Sequence, residues 1–213
     1  MQEVQYVAVV RMPNSGEYGI FMSAYPEEQI LDALNHYLAD FPLPDELWVF
    51  AYGSLMWNPD MQVIESHQGK VHGWQRGFNL LSTVHRGTQE LPGLVLSLRD
   101  GGYCEGLAFR IAQASKQEDF KNLWLREMAT LFYRPHVCQV ATDTGIINAI
   151  TFVADQQHEQ YVNFDTAQCA SMISQAHGGR GSNMDYFKNT SAHLKKLNIH
   201  DPLFNDISAH WAS

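Results

Sequence analysis

Leu47-Trp-Val-Phe-Ala-Tyr-Gly-Ser-Leu55 reads as a buried strand running into a tight turn. From Leu47 to Tyr52 the residues are continuously apolar and aromatic, the composition of a strand covered on both faces, and the run stops at Gly53. A glycine in that place lets the chain turn sharply, so that successive backbone N–H groups can point into one concavity suited to a carboxylate. Strand–Gly–Ser turns also serve as plain connections. Ser54 lacks the G-x-S-x-G elbow that would expose it as a nucleophile.

Downstream, the predicted strands are Lys70–Gly73, Gly77–Val84, Gly93–Leu98, Glu105–Ile111, His136–Ala141 and Ile146–Val153, separated by turn signals such as Asp100-Gly-Gly102 and Asp143-Thr-Gly145. One helix, Ser115–Leu131, interrupts them, with Phe120, Leu123, Trp124 and Met128 at helical spacing. After Asp155 the pattern turns helical, with Thr166–Ala176, Ser182–Leu197 and Pro202–Trp211, the first two joined by the turn Gly178-Gly-Arg-Gly181. Upstream lie an apolar stretch from Val4 to Val10, a Pro13–Gly16 turn and a helix over about Glu27–Ala39, closed by Pro42 and Pro44. The pattern predicts one α+β domain, 45–213, preceded by an extension, 1–44, packed on it.

Bulk properties narrow the function classes. A chain of 213 residues with 45% hydrophobic content can bury a core without disulfides or structural metal. The formal charge of −9, without basic clusters, argues against nucleic acid or an anionic membrane surface and for a small-molecule partner. Cys104, Cys138 and Cys169 are odd in number and widely spaced, which fits a reducing, cytoplasmic compartment. No window is apolar enough for a membrane helix. Ten histidines show no His-Glu-x-x-His and no Cys/His pairing at ligand spacing, so no metal is expected.

Two further places can carry chemistry. Glu127 lies in Leu123-Trp-Leu-Arg-Glu-Met-Ala-Thr-Leu-Phe132. Turned inward, its carboxylate would be desolvated and suited to acid–base work; turned outward beside Arg126, it is an ordinary surface glutamate. Periodicity leaves both readings open. His85-Arg-Gly87 and Gln89-Glu-Leu-Pro-Gly93 form a polar loop between strands, in which Arg86 can hold a carboxylate with its forked guanidinium or simply face solvent.

Taken together, Trp48-Val-Phe-Ala-Tyr-Gly-Ser-Leu-Met-Trp-Asn-Pro59, Gly73-Trp-Gln-Arg-Gly-Phe78, His85-Arg-Gly87, Pro92-Gly93, Glu105-Gly-Leu-Ala-Phe109, Leu125-Arg-Glu-Met128 with Tyr133, Asn148-Ala149, Tyr161 and Gly181-Ser-Asn-Met-Asp-Tyr-Phe187 resemble the ChaC-like γ-glutamylcyclotransferases, enzymes that degrade glutathione. The resemblance covers about residues 47–197. It implies a small mixed β-barrel with flanking helices, and conversion of glutathione to 5-oxoproline and cysteinylglycine without a cofactor. It also implies a turn, Tyr52, Gly53, Ser54 and Leu55, that cradles the γ-glutamyl group, Glu127 as the catalytic residue, and pocket tyrosines at Tyr133 and Tyr161. Val-Asn-Phe follows Tyr161, where eukaryotic relatives commonly carry Leu-Gly-Pro. A cyclotransferase for other γ-glutamyl-amino acids or amines, and a non-catalytic sensor of γ-glutamyl metabolites, are the alternatives; the oligomeric state is not legible.

Overall fold

The structure, a computed structural model, describes residues 7–11, 18–22 and 25–212. A hairpin of β1 (Val7–Arg11) and β2 (Tyr18–Met22) precedes α1 (Glu27–Asp40). Val4–Tyr6 of the expected apolar stretch and the Pro13–Gly16 turn lie outside the described residues.

The buried run forms β3 (Trp48–Ala51), which pairs on one side antiparallel with β5 (Gly93–Ile111), Trp48 opposite Arg110 and Ala51 opposite Leu107. On its other side it meets β7 (Gly145–Ala154) in parallel, Val49 opposite Ile150. β4 (Val63–Ser82) pairs antiparallel with β6 (Tyr133–Thr142), from Gly69 opposite Thr142 to Val71 opposite Val140. In the order β3, β5, β4, β6, β7 the strands close into a mixed barrel. Flanked by strands on both edges, β3 buries Val49, Phe50 and Ala51 almost completely, which is why no polar residue interrupts it.

The chain divides into two compact units, one of Tyr25–Arg76 with Leu98–Val153, the other of Met1–Ala24 with Gly77–Ser97 and Ala154–Ser213. In the first, α2 (Lys116–Glu127) packs its apolar face, Phe120, Leu123 and Trp124, beside α1. The Trp124 indole donates to the Ile30 carbonyl at 3.0 Å and its ring lies 5.1 Å from that of Tyr37. In the second, α3 (Thr166–Gln175) packs against α4 (Asn183–Lys196) and α5 (Pro202–Ala209), and these two helices supply Tyr186, Phe187 and Phe204 around the buried ring of Phe78.

Several expectations need correction. The two predicted strands Lys70–Gly73 and Gly77–Val84 are one strand, β4, and Gly93–Leu98 and Glu105–Ile111 are likewise one, β5. Asp100-Gly-Gly102 is therefore no hairpin turn: β5 passes through it, with Gly101 at φ +120° and Gly102 at φ +50° absorbing the local distortion in glycine-favoured conformations. Asp143-Thr-Gly145 is the β6–β7 turn, where the Thr142 hydroxyl donates to the Gly145 carbonyl at 2.8 Å. Gly178-Gly-Arg-Gly181 does join α3 to α4, as a miniature hairpin of β8 (His177–Gly178) and β9 (Gly181–Ser182). The interrupting helix ends at Glu127 rather than Leu131: Met128 caps it, and Leu131 turns the chain at φ +53° into β6.

Candidate active site

β3 delivers its C-terminal end to a single 3-10 turn, Ser54–Met56, preceded by Gly53. Within the turn, Met56 N–H bonds the Gly53 carbonyl at 3.0 Å and Asn58 N–H the Ser54 carbonyl at 2.8 Å. The N–H groups of Gly53, Ser54 and Leu55 have no partner among the described residues, as the opening donors of a helical turn must unless something outside it accepts from them. Tyr52 is buried and donates through its hydroxyl to the Phe152 carbonyl at 2.9 Å. Arg76, also buried, donates through Nε to the Tyr52 carbonyl at 2.6 Å and through Nη2 to the Glu105 carbonyl. The end of β3 is thus fixed from two sides before the turn begins.

Glu127 is the last residue of α2, with a side chain 14% exposed, so the inward orientation describes it better than the solvent-facing one. Its Oε1 lies 3.2 Å from Nε of Arg126. The same guanidinium donates through Nη2 to the Ser54 hydroxyl at 2.9 Å and through Nη1 to the Asn58 carbonyl at 2.8 Å. One cation therefore joins the expected acid–base residue to the expected cradle. Tyr133 opens β6, is buried, and packs edge-on against Phe132 with ring centroids 4.9 Å apart.

Arg86 and Tyr161 belong to the other unit. The Arg86 guanidinium lies over the Tyr186 ring, 5.3 Å from its centroid, and Nη1 donates to the Arg180 carbonyl at 2.6 Å. Its own amide donates to the Ser82 hydroxyl at 2.9 Å. Burial draws the Arg86 pKa down, but arginine titrates so far above neutrality that the charge stays. The loop beneath it is held backbone to backbone. Gly179 N–H bonds the Val84 carbonyl and Arg180 N–H the His85 carbonyl, and a Cβ on Gly87, Gly93 or Gly178 would collide with main-chain atoms of the same loop. The motif glycines are thus explained by close approach. Tyr161 is half-buried, pairs with Leu80 in an isolated bridge, and its amide bonds the His158 carbonyl at 2.9 Å.

Two residues escaped the sequence reading of the site. Arg76 was visible only as a letter of Gly73-Trp-Gln-Arg-Gly-Phe78, and Arg126 only as the neighbour of Glu127. Among the described residues no three His, Cys, Asp or Glu side chains are grouped to hold a metal ion, and no helix is long and apolar enough to cross a membrane.

Residues 47–211 match the ChaC-like protein family. The chain is 40% identical over 168 residues to the glutathione-specific γ-glutamylcyclotransferase of Escherichia coli K12, covering 77% of this chain and 73% of that one. It is 31% identical over 146 residues to the glutathione-specific γ-glutamylcyclotransferase 1 of Danio rerio, covering 66% and 74% respectively. The fold is similar to the crystal structure of a γ-glutamyl cyclotransferase specific to glutathione from yeast, with a TM-score of 0.70 at 20% identity over 78% of this chain and 97% of that one.

Proposed function

The chain belongs to the ChaC-like protein family, and we infer that it is a glutathione-specific γ-glutamylcyclotransferase whose acid–base residue is Glu127. The observation that carries this reading is the convergence of Glu127 and the Tyr52–Leu55 turn on one guanidinium, in a chain so similar to enzymes of that name. Residues 45–213 are the catalytic domain and 1–44 its extension, in a cytoplasmic protein.

The reaction is a ring closure. The α-amine of the γ-glutamyl residue attacks its own γ-carbonyl carbon, the amide bond to cysteine breaks, and 5-oxoproline and cysteinylglycine leave without consumption of water. The α-ammonium must lose a proton before attack and the departing amine must gain one. A single carboxylate beside the nitrogen can perform both transfers, and Glu127 takes that double task. The unpartnered amides of Gly53, Ser54 and Leu55 are suited to an anionic oxygen of the γ-glutamyl group, either its α-carboxylate or the carbonyl oxygen as charge develops there. Tyr52 and Tyr133, in the same unit as the turn and Glu127, are the tyrosines that face the γ-glutamyl group. Folding the γ-glutamyl chain so that the amine sits against its own carbonyl supplies much of the rate, since an intramolecular attack needs only the correct conformer.

Purified protein incubated with reduced glutathione tests the proposal, with both products followed by mass spectrometry. Equimolar 5-oxoproline and cysteinylglycine are expected. A folded protein that yields neither overturns it.

A further inference from the structure

We propose that Arg126 is a positioning residue of this enzyme, setting the carboxylate of Glu127 against the Tyr52–Leu55 turn without itself touching substrate; the proposal rests on the reading of Glu127 as the acid–base residue.

Each guanidinium nitrogen has a separate task. Nη1 holds the Asn58 carbonyl at 2.8 Å, Nη2 the Ser54 hydroxyl at 2.9 Å, and Nε the Glu127 carboxylate at 3.2 Å. Two contacts on the turn fix both the distance and the rotation of the planar group relative to it. The third transmits that placement to the carboxylate. Neighbouring residues on a helix point about 100° apart and do not normally face each other. Arg126 and Glu127 meet because α2 ends between them and the Met128 cap, and because the turn draws the guanidinium across.

The electrostatics require a cation there. A carboxylate on the last residue of a helix faces the negative end of the helix dipole, and a basic neighbour in that turn offsets the repulsion. The side chains of Arg126 and Glu127 are 16% and 14% exposed, so their attraction is less screened than that of a surface pair. Lysine would keep the charge, but its compact ammonium lacks the rigid fork needed to hold the three directions. The expected result of such a change is a misplaced carboxylate with the binding groups intact, which is a defect in turnover rather than in affinity.

The test compares Arg126→Lys, Arg126→Ala, Ser54→Ala and Glu127→Gln, reading kcat, KM and Tm. Arg126→Lys is expected to lower kcat about 100-fold, the scale on which small misplacements act, with KM within about threefold and Tm near that of the parent. Methylguanidinium added to Arg126→Ala should recover turnover at least about tenfold, a response a purely structural arginine would not give. Near-normal kcat in Arg126→Lys overturns the proposal, as does a raised KM at unchanged kcat, or a loss that follows the folded fraction and resists methylguanidinium. Should Arg126→Lys fail to fold, Ser54→Ala decides: removal of one arm must lower kcat at constant KM, and normal kcat refutes the positioning role. Glu127→Gln separates the two layers. If it turns over normally, the acid–base reading falls and this proposal with it; if it is inactive while Arg126→Lys is normal, only the positioning role falls.

Discussion

Asn183 pairs both ends of its side-chain amide with the backbone of Leu94. Its Nδ2 donates to the Leu94 carbonyl at 2.8 Å and its Oδ1 accepts from the Leu94 N–H at 2.6 Å, with the asparagine fully buried. The residue is the first of α4, so this pair docks the start of that helix onto the start of β5, immediately beside Gly93. A side chain on Gly93 would press on Asn183 Oδ1 and on the Arg86 carbonyl. Gly93 and Asn183, far apart in sequence, thus belong to one packing arrangement that sits under the Arg86 loop.

Asn183→Ala is therefore expected to destabilise the protein by about 2–4 kcal/mol, because it strands a buried donor and a buried acceptor of Leu94 together. Urea unfolding at unchanged m-value measures it. A midpoint equal to that of the parent would show that water replaces the amide without loss.

Much of the fold was legible because the decisive signals are local. The run Leu47–Tyr52 announced a strand covered on both faces, and the apolar spacing of Phe120, Leu123 and Trp124 announced α2. What misled was turn chemistry inside a long strand. Asp100-Gly-Gly102 carries the letters of a hairpin, but there the Gln75 side chain donates to the Asp100 carbonyl at 3.3 Å and lies against both glycines, while β5 continues to Ile111. The inward direction of Glu127 was permitted by periodicity but not determined by it, since it depends on where α2 stops. Arg126 was illegible for a different reason: its partners Ser54 and Asn58 are 72 and 68 residues away, and no helical period connects them.

Glu127→Gln is expected to abolish turnover while leaving the fold and glutathione binding largely intact. The amide matches the carboxylate in shape, but it cannot take the ammonium proton. Product formation and calorimetric binding on the same preparation check this. Turnover near that of the parent would remove Glu127 from the mechanism.

The three cysteines are free and buried, and burial pushes the Cys138 thiol from 9.0 up to about 12 and that of Cys169 to about 11. At pH 8 both stay protonated, so native protein should leave Cys138 and Cys169 unmodified by iodoacetamide while unfolded protein reacts at each. The folded state holds these protons more tightly than the unfolded chain, so the contribution is complete below pH 9 and is lost as the pH rises toward the raised values. Peptide mapping after labelling gives the answer, and rapid native alkylation of Cys138 at pH 8 would contradict it.

Reduced glutathione is expected to be preferred over oxidised glutathione and over isolated γ-glutamyl-amino acids. The bond made and the bond broken both meet at the γ-carbonyl carbon, and of the part that leaves only the amine nitrogen reacts, so any preference must come from contacts with the rest of that part. A site that grips the α-carboxylate at the Tyr52–Leu55 turn and also the cysteinylglycine arm holds the scissile amide at two points. Remote contacts of this kind are used to orient the reacting atoms, so a truncated leaving group loses turnover as well as affinity. γ-Glutamylalanine keeps the ring-closing half and discards the thiol and the glycine carboxylate, and it should fall in kcat as well as rise in KM. Oxidised glutathione keeps both halves but carries a second tripeptide on sulfur, for which a pocket closed around a small thiol would have no room. Values of kcat/KM for the three compounds, measured side by side, decide the matter. A higher value for γ-glutamylalanine would sink glutathione preference while leaving the proposed ring closure at Glu127 standing, because that step needs of the leaving arm only its amine nitrogen, which γ-glutamylalanine also has.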